Sequence, residues 1–375
     1  MMQKETNKYP KIFLAMDNCV FYKRWTTPGE WSDKMAELGI FNIEASADTE
    51  LDPLFMGREY LEDWIKDVEK AQKLSGVRVC NLYSGHGTYS TLGMAHDDIR
   101  VREHMIKDWF FPMAEMAGEL KCGLGFFAHA FKHSILQDEK EYYKYVDILI
   151  DGLSRINEHA GKYGCGDLGI EQMYTPHQYP WRLKDTENLL KEVTKRSGRN
   201  FYFTEDLGHH SRNFFRPEKY EDRCWLGSDK AFEIGDHKGQ SGWEEIEKEM
   251  DKNPHLFAEE KDANCYETLS QLGCYSPIIH LQQTNGNRST HDAFTPENNK
   301  LGIIEPQKVL KAIKESYERD SEEGMPDKCD ELYLTLELFS GTTSNMHNVL
   351  KDCKVSVDYW RQFIPQDGKY LDELI

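Results

Sequence analysis

The sequence lacks the features that mark membrane, secreted and disulfide-rich proteins. No run approaches the roughly 18 apolar residues of a membrane-spanning helix, and residues 1–8 are polar where a secretory signal has an apolar core. The nine cysteines are odd in number and include no C-x-x-C pair, which favours buried thiols in a reducing compartment over a disulfide framework. We therefore expect a soluble, cytoplasmic protein with no membrane partner.

An excess of positive charge is also missing. The chain has 46 Lys and Arg against 65 Asp and Glu, a formal net charge of −19, and its basic residues are scattered among acidic ones. Such a surface repels a phosphate backbone, so we expect no nucleic-acid partner. The hydrophobic content of 39% is sufficient for a large core and excludes general disorder.

Eight short apolar segments suited to buried parallel strands recur along the 375 residues. Segments with helical periodicity separate them, and Thr27 and Glu30 have the spacing of a capping box that opens the first helix. Strand followed by helix, eight times, predicts one α/β domain over residues 1–375, a single (β/α)₈ TIM barrel; a doubly wound sheet is the alternative. The predicted strands cover residues 11–16, 41–45, 77–83, 124–129, 168–172, 201–206, 277–281 and 332–338.

The interval after the sixth predicted strand is unusually long. About 70 residues separate strands six and seven, roughly twice what a loop and a helix require. The extra residues, about 214–262, predict an insertion after strand six that forms a lid, an oligomer contact or only a surface excursion. Because this insertion carries Trp225 and Trp243, it is our candidate interface for an expected homo-oligomer.

Polar residues stand near the carboxyl ends of the last four predicted strands: Glu171, Asp206, His280 and Glu337. In a barrel these ends meet at one mouth, where three carboxylates repel one another by several kcal/mol unless a cation compensates. Oxygen donors with a single nitrogen suit Mn²⁺, Mg²⁺ or Co²⁺. Each residue also has a structural interpretation, as an ion pair for either glutamate, a helix N-cap for Asp206 and a core histidine for His280.

Two further histidines follow earlier strands. His86 and His129 stand at the ends of the third and fourth predicted strands, which predicts that both point into the same mouth. We expect them to contact a substrate; a purely structural hydrogen-bonding role is the alternative.

The segments around the four strand-end residues resemble the sugar isomerase/epimerase group of xylose-isomerase-like barrels. The matching residues are Glu171 in LGIEQM, Asp206 and His209 in DLGH, His280 in IIHLQQTNG, and Glu337 in LTLELF. The resemblance implies that the four strand-end residues hold one divalent metal ion, with Mn²⁺ expected before Mg²⁺ or Co²⁺. It also implies that Glu171 and Glu337 transfer a proton through a metal-stabilised enediolate of a small sugar, a role in carbohydrate metabolism. His209 and Arg288 would then bind the substrate.

The sequence departs from the group's patterns at several positions. His177 stands where ketose 3-epimerases have a carboxylate, and we include it among the expected substrate-binding residues. Met173 replaces the lysine of the xylose isomerases, and no Asp-x-Asp element follows His280, which favours single-metal proton transfer over a two-metal hydride shift. No glycine-rich helix entry follows strands seven and eight, so a phosphorylated substrate is not expected.

Other functions of related barrels remain open. Inosose dehydratases and C-glycoside-cleaving lyases begin with the same proton removal from a keto-sugar and then expel a leaving group. Endonuclease IV, a metal nuclease of the same fold, uses strand-end histidines but needs an Asp-x-His element, whereas this chain has His291 followed by Asp292. A metal-free binding barrel without catalysis is the remaining alternative.

Overall fold

The computed structural model describes residues 7–85, 91–210 and 243–375, and these ranges contain the predicted barrel. Its strands are parallel and each pairs with the next along the chain, while β1 also pairs with β8, which closes the sheet. The strands are β1 (Lys11–Asp17), β2 (Asn42–Ser46), β3 (Arg78–Ser84), β4 (Gly123–Phe126), β5 (Leu168–Glu171), β6 (Tyr202–Asp206), β7 (Ile278–Leu281) and β8 (Glu331–Leu336). The TIM-barrel prediction is therefore confirmed. A short ninth strand, β9 (Lys369–Tyr370), pairs antiparallel with β1.

Helices between the strands cover the outside of the barrel. The first begins at the predicted capping box, in which Thr27 Oγ1 accepts a hydrogen bond from the Glu30 amide and Glu30 accepts one from the Thr27 amide. The helices are α1 (Pro28–Leu38), α2 (Ala47–Glu50), α3 (Arg58–Ser75), α4 (Ile99–Met105), α5 (Phe111–Leu120), α6 (His133–Leu136), α7 (Glu139–Tyr163), α8 (Leu183–Ser197), α9 (Trp243–Lys252), α10 (Cys265–Leu272), α11 (Pro296–Asn299), α12 (Pro306–Glu318) and α13 (Met346–Trp360). Within the described ranges, no helix is both long and apolar enough to cross a membrane.

The fourth strand differs from its prediction. We expected it to continue to residue 129, but β4 ends at Phe126. The following residues leave the barrel wall, and His129 forms an isolated antiparallel bridge with Gly93 instead of a pair with β5. An apolar run alone does not show where the ladder of backbone hydrogen bonds stops. The strand predicted from the sequence was therefore too long at its carboxyl end.

Part of the predicted insertion after β6 falls in the described residues. Residues 214–242, including Trp225, lie outside them, whereas α9 and the segment to residue 262 lie within. Buried Arg182 ties this segment to the barrel by donating hydrogen bonds to the carbonyl oxygens of Pro254, at 2.9 Å, and Phe257, at 3.2 Å. The insertion's role as a lid or oligomer interface stays a prediction.

A buried hydrogen-bond network connects the loops after β1 and β2 at the carboxyl end of the barrel. Glu50, which is 2% exposed, accepts hydrogen bonds from Asn18 Nδ2 at 3.0 Å and Trp31 Nε1 at 2.7 Å. Asn18 Oδ1 accepts a further hydrogen bond from the Ser46 amide. Burial raises the pKa of Glu50 to about 7, so the folded protein retains a proton that the unfolded chain loses near pH 4.5.

We therefore expect Glu50 to destabilise the fold as the pH rises. Because the pKa is higher in the folded state, the free energy of unfolding should fall between about pH 4.5 and pH 7, by an amount on the order of 1–3 kcal/mol. Glu50→Gln removes this titration. Urea unfolding at pH 5 and pH 8 should show that the wild type loses more stability over this interval than the variant; equal losses would contradict the assignment.

Candidate active site and metal centre

The barrel brings together the four strand-end residues expected to bind metal. Asp206 and His280 end neighbouring strands and are paired in the register of β6 and β7, Glu171 ends β5, and Glu337 directly follows β8. One candidate ligand atom from each residue lies within 4.8 Å of those of the other three, and no member of the set is more than 5% exposed. The predicted convergence of these side chains is confirmed.

His280 lies at the centre of this cluster, and its two ring nitrogens have different surroundings. Nδ1 is 3.1 Å from Glu171 Oε1 and 3.3 Å from Glu337 Oε2. Nε2 lies 2.7 Å from Oε1 of Glu44, whose other oxygen accepts a hydrogen bond from Asn81. A proton on Nε2, donated to Glu44, leaves the Nδ1 lone pair facing the carboxylates. A carboxylate behind a metal-binding histidine commonly sets the ring orientation in this way.

The charges of the cluster are strongly coupled. Burial lowers the pKa of His280, but Glu337 and Glu44 outweigh it and raise the pKa well above the usual value for histidine. Burial raises the pKa of Glu337, but His280 and His291 outweigh it and hold the pKa well below its usual value. The carboxylates therefore require a positive charge among them, which a protonated imidazole or a cation can supply.

The donor atoms of the cluster fit a divalent cation. Glu337 Oε2 is buried and lies 3.3 Å from Nδ1 of His280 and 3.2 Å from Nδ1 of His291. A buried carboxylate oxygen at this distance from two ring nitrogens is suited to a shared cation. Three carboxylates and one imidazole are a donor set for a hard or borderline divalent ion.

A cavity of about 150 Å³ opens beside the cluster. Glu171 and Glu337 line it, together with His209, Tyr83 and Asp17. Its volume suits a small molecule rather than a polymer. Asp17 ends β1 and is 1% exposed, and its burial, with Glu44 and Glu337 nearby, raises its pKa well above the usual value.

Of the residues expected to bind substrate, the structure places His209 at this cavity. Its Nδ1 lies 3.2 Å from the carbonyl oxygen of Gln172, and its Nε2 lies 3.7 Å from Asp206 Oδ2. The ring therefore stands beside the cluster with one edge toward the cavity.

The structure does not place the other histidines expected to bind substrate at this cavity. The expectation that His129 points into the mouth was wrong: because β4 ends early, His129 is 1% exposed and its Nε2 lies 2.6 Å from the carbonyl oxygen of Tyr179. Burial lowers its pKa to about 4. His177 is partly buried, has its Nδ1 2.7 Å from the carbonyl oxygen of Phe131, and is not among the described residues that line the cavity. His86 lies outside the described residues.

Arg288 lies at a neighbouring cavity and not at the cluster. This second cavity, of about 370 Å³, is bordered by the loops after β6 and β7 and is also lined by His210. Arg288 is exposed there, so the expected clamp on a substrate at the metal cluster is not formed in this structure. The loop after β7 turns away from the cluster before it reaches Arg288 and returns to it at His291.

Sequence reasoning missed Glu44 and His291, which lie at the cluster, as well as Asp17 at the cavity. Glu44 is an acidic residue inside an apolar strand, the same signal that identified Glu171, but it lies before the end of β2. His291 has a left-handed backbone (φ 50°), which is unfavourable for a residue other than glycine, and its ring stacks on Phe339 at 3.8 Å. Strain of this kind is concentrated at functional sites.

Comparisons with known proteins agree with this architecture. No family model matches the chain. It is similar to a D-erythrulose 1-phosphate 3-epimerase from Brucella abortus (strain 2308), at 23% identity over 312 residues and 82% of each chain. Among solved structures, a provisionally named xylose isomerase from Rhodospirillum rubrum ATCC 11170 gives a TM-score of 0.66 at 16% identity and covers 94% of this chain and 99% of its own.

Two further solved structures are ketose 3-epimerases. The D-psicose 3-epimerase of Clostridium cellulolyticum H10 has a TM-score of 0.57 at 11% identity, and covers 94% of this chain and 98% of its own. An L-ribulose 3-epimerase has a TM-score of 0.55 at 12% identity, and covers 94% and 93%. At these identities the likeness shows the fold, and the resemblance to xylose-isomerase-like barrels is confirmed at that level.

Removing the charge of Glu44 should weaken cation binding at the cluster. We expect Mn²⁺ to raise the melting temperature of metal-free protein, because the ion binds the folded state only. Glu44→Gln should lower the affinity for Mn²⁺ about 10–100-fold, since the histidine loses its carboxylate partner. Titration calorimetry measures the affinity. Glu50→Gln, which alters a buried glutamate outside the cluster, is the control, and equal affinity in both variants would contradict the role of Glu44.

Proposed function

We propose that the protein is a divalent-cation-dependent epimerase of a small ketose, with Mn²⁺ as its preferred ion. The observation that carries this proposal is the pair Glu171 and Glu337, which line one small cavity and share one candidate cation site. The proteins to which the chain is similar are named as ketose 3-epimerases or as a xylose isomerase, which supports the same class of reaction.

The chemistry follows from the positions of the two glutamates. In an epimerisation, one glutamate removes the proton from the carbon next to the carbonyl group, and the other returns a proton to the opposite face of that carbon. Both carboxylates reach the cavity, and His209 beside them can donate a hydrogen bond to a hydroxyl group of the sugar. A divalent cation held by the cluster would supply positive charge beside the substrate's oxygens as the proton leaves.

Whether the ketose carries a phosphate group is part of the proposal's test. The sequence alone favours an unphosphorylated sugar, whereas the Brucella relative is named for a phosphorylated tetrulose. The substrate panel should therefore pair D-erythrulose with D-erythrulose 1-phosphate and include D-psicose, D-tagatose and L-ribulose.

Proton NMR in D₂O tests the function directly. With Mn²⁺-loaded protein, replaced by Mg²⁺ where the paramagnetic ion broadens signals, we expect deuterium to enter at C3 of one ketose while its 3-epimer accumulates. Deuterium uptake at C1 or C2 with an aldose product would indicate an aldose–ketose isomerase. Loss of a hydroxyl group after exchange would indicate a lyase, and no exchange with any sugar would contradict the proposal.

Glutamine in place of either glutamate should remove the base and keep the side chain's size. We expect Glu171→Gln and Glu337→Gln each to lose at least roughly 10²-fold in turnover, the usual contribution of one general acid or base. Both should remain folded, because the core of the barrel does not depend on them. Glu50→Gln is again the control. If both variants keep near-wild-type turnover with metal bound, the acid/base assignment is wrong.

A further inference from the structure

Tyr83 lines the cavity beside the candidate base Glu171. It lies near the carboxyl end of β3, two residues after Asn81, so both side chains point to the inside of the barrel. Its ring meets that of His280 edge-on, with centroids 4.9 Å apart. The Tyr83 hydroxyl donates a hydrogen bond to Oε2 of Glu171.

This hydrogen bond makes the two oxygens of Glu171 different. Oε1 is directed toward the cluster, 3.1 Å from His280 Nδ1 and 3.7 Å from His209 Nδ1. Oε2 is held by Tyr83 instead. A carboxylate that helps to hold a cation and also removes a proton needs one oxygen for each task, because an oxygen engaged by the cation is a poor base.

Glu337 has no equivalent hydroxyl partner among the described residues. Its Oε2 faces Nδ1 of His280 at 3.3 Å and Nδ1 of His291 at 3.2 Å. Oε2 of Glu337 therefore lies between two imidazole rings, whereas Oε2 of Glu171 is held by a phenol hydroxyl. The asymmetry indicates that Tyr83 serves Glu171 in particular.

We propose that Tyr83 is a positioning residue that keeps Oε2 of Glu171 available for proton transfer. By holding this oxygen, the hydroxyl prevents the carboxylate from turning both of its oxygens toward the cation. This inference rests on the proposed epimerase function for its kinetic consequences, but its effect on cation binding does not require any catalytic activity.

Tyr83→Phe tests the inference, because it removes only the hydroxyl. We expect kcat to fall about 10–100-fold, less than the roughly 10²–10⁴-fold contribution of a proton-transfer group itself, while KM changes less than about threefold. Affinity for Mn²⁺, measured by calorimetry on metal-free protein, should be equal to or tighter than that of the wild type. A residue that merely supports the fold would weaken both properties together.

Tyr317→Phe is the matched control. Tyr317 is also buried, and its hydroxyl donates to the carbonyl oxygen of Cys329 at 2.6 Å, on α12 and away from the cluster. Its variant should lose stability but keep kcat and Mn²⁺ affinity within about twofold, because it loses one buried hydrogen bond outside the site.

The outcomes separate this inference from the proposed function. Unchanged kcat in Tyr83→Phe would overturn the inference, and so would weaker Mn²⁺ binding. If the wild type exchanges no proton of any sugar, the proposed function fails; tighter Mn²⁺ binding by Tyr83→Phe would then support the role of Tyr83, and equal or weaker binding would overturn it. Lower kcat with equal or tighter Mn²⁺ binding would support it.

Discussion

The mutual repulsion of buried carboxylates is the constraint on which the mouth of this barrel depends. Glu171, Asp206 and Glu337 approach one another out of contact with bulk water, so each is stable only if positive charge lies among them. His280 is the nitrogen donor at the centre, and Glu44 fixes which edge of its ring faces the acids.

Much of the site follows from the fold. The carboxyl ends of parallel strands in a closed barrel meet at one mouth, so acidic or imidazole side chains at the ends of β5 to β8 had to converge once eight strands were identified. Glu171, Asp206, His280 and Glu337 could therefore be predicted from periodicity and residue type. The sequence also predicts the capping box of α1, because that contact is local.

The features that could not be predicted depend on contacts distant in sequence or on loop geometry. His129 ends an apolar run that predicts a strand. In the structure the strand stops at Phe126, and the histidine is buried in the core. Arg288 and His291 lie in one irregular loop, and only its path decides that His291 returns to the cluster. No periodicity specifies such a path, and the left-handed backbone of His291 has no signature in residue type.

The bond between His280 and Glu44 joins residues 236 positions apart, on strands β7 and β2, which β8 and β1 separate in the closed barrel. This has a consequence for the order of folding. Neither half of the chain contains both partners, so the ring cannot be oriented until β1 has closed on β8 and the sheet has become continuous. A partly folded chain would hold carboxylates near a freely rotating imidazole. High-affinity cation binding at the cluster would then appear late during refolding. Its appearance would mark the closure of the barrel by the pairing of β1 with β8.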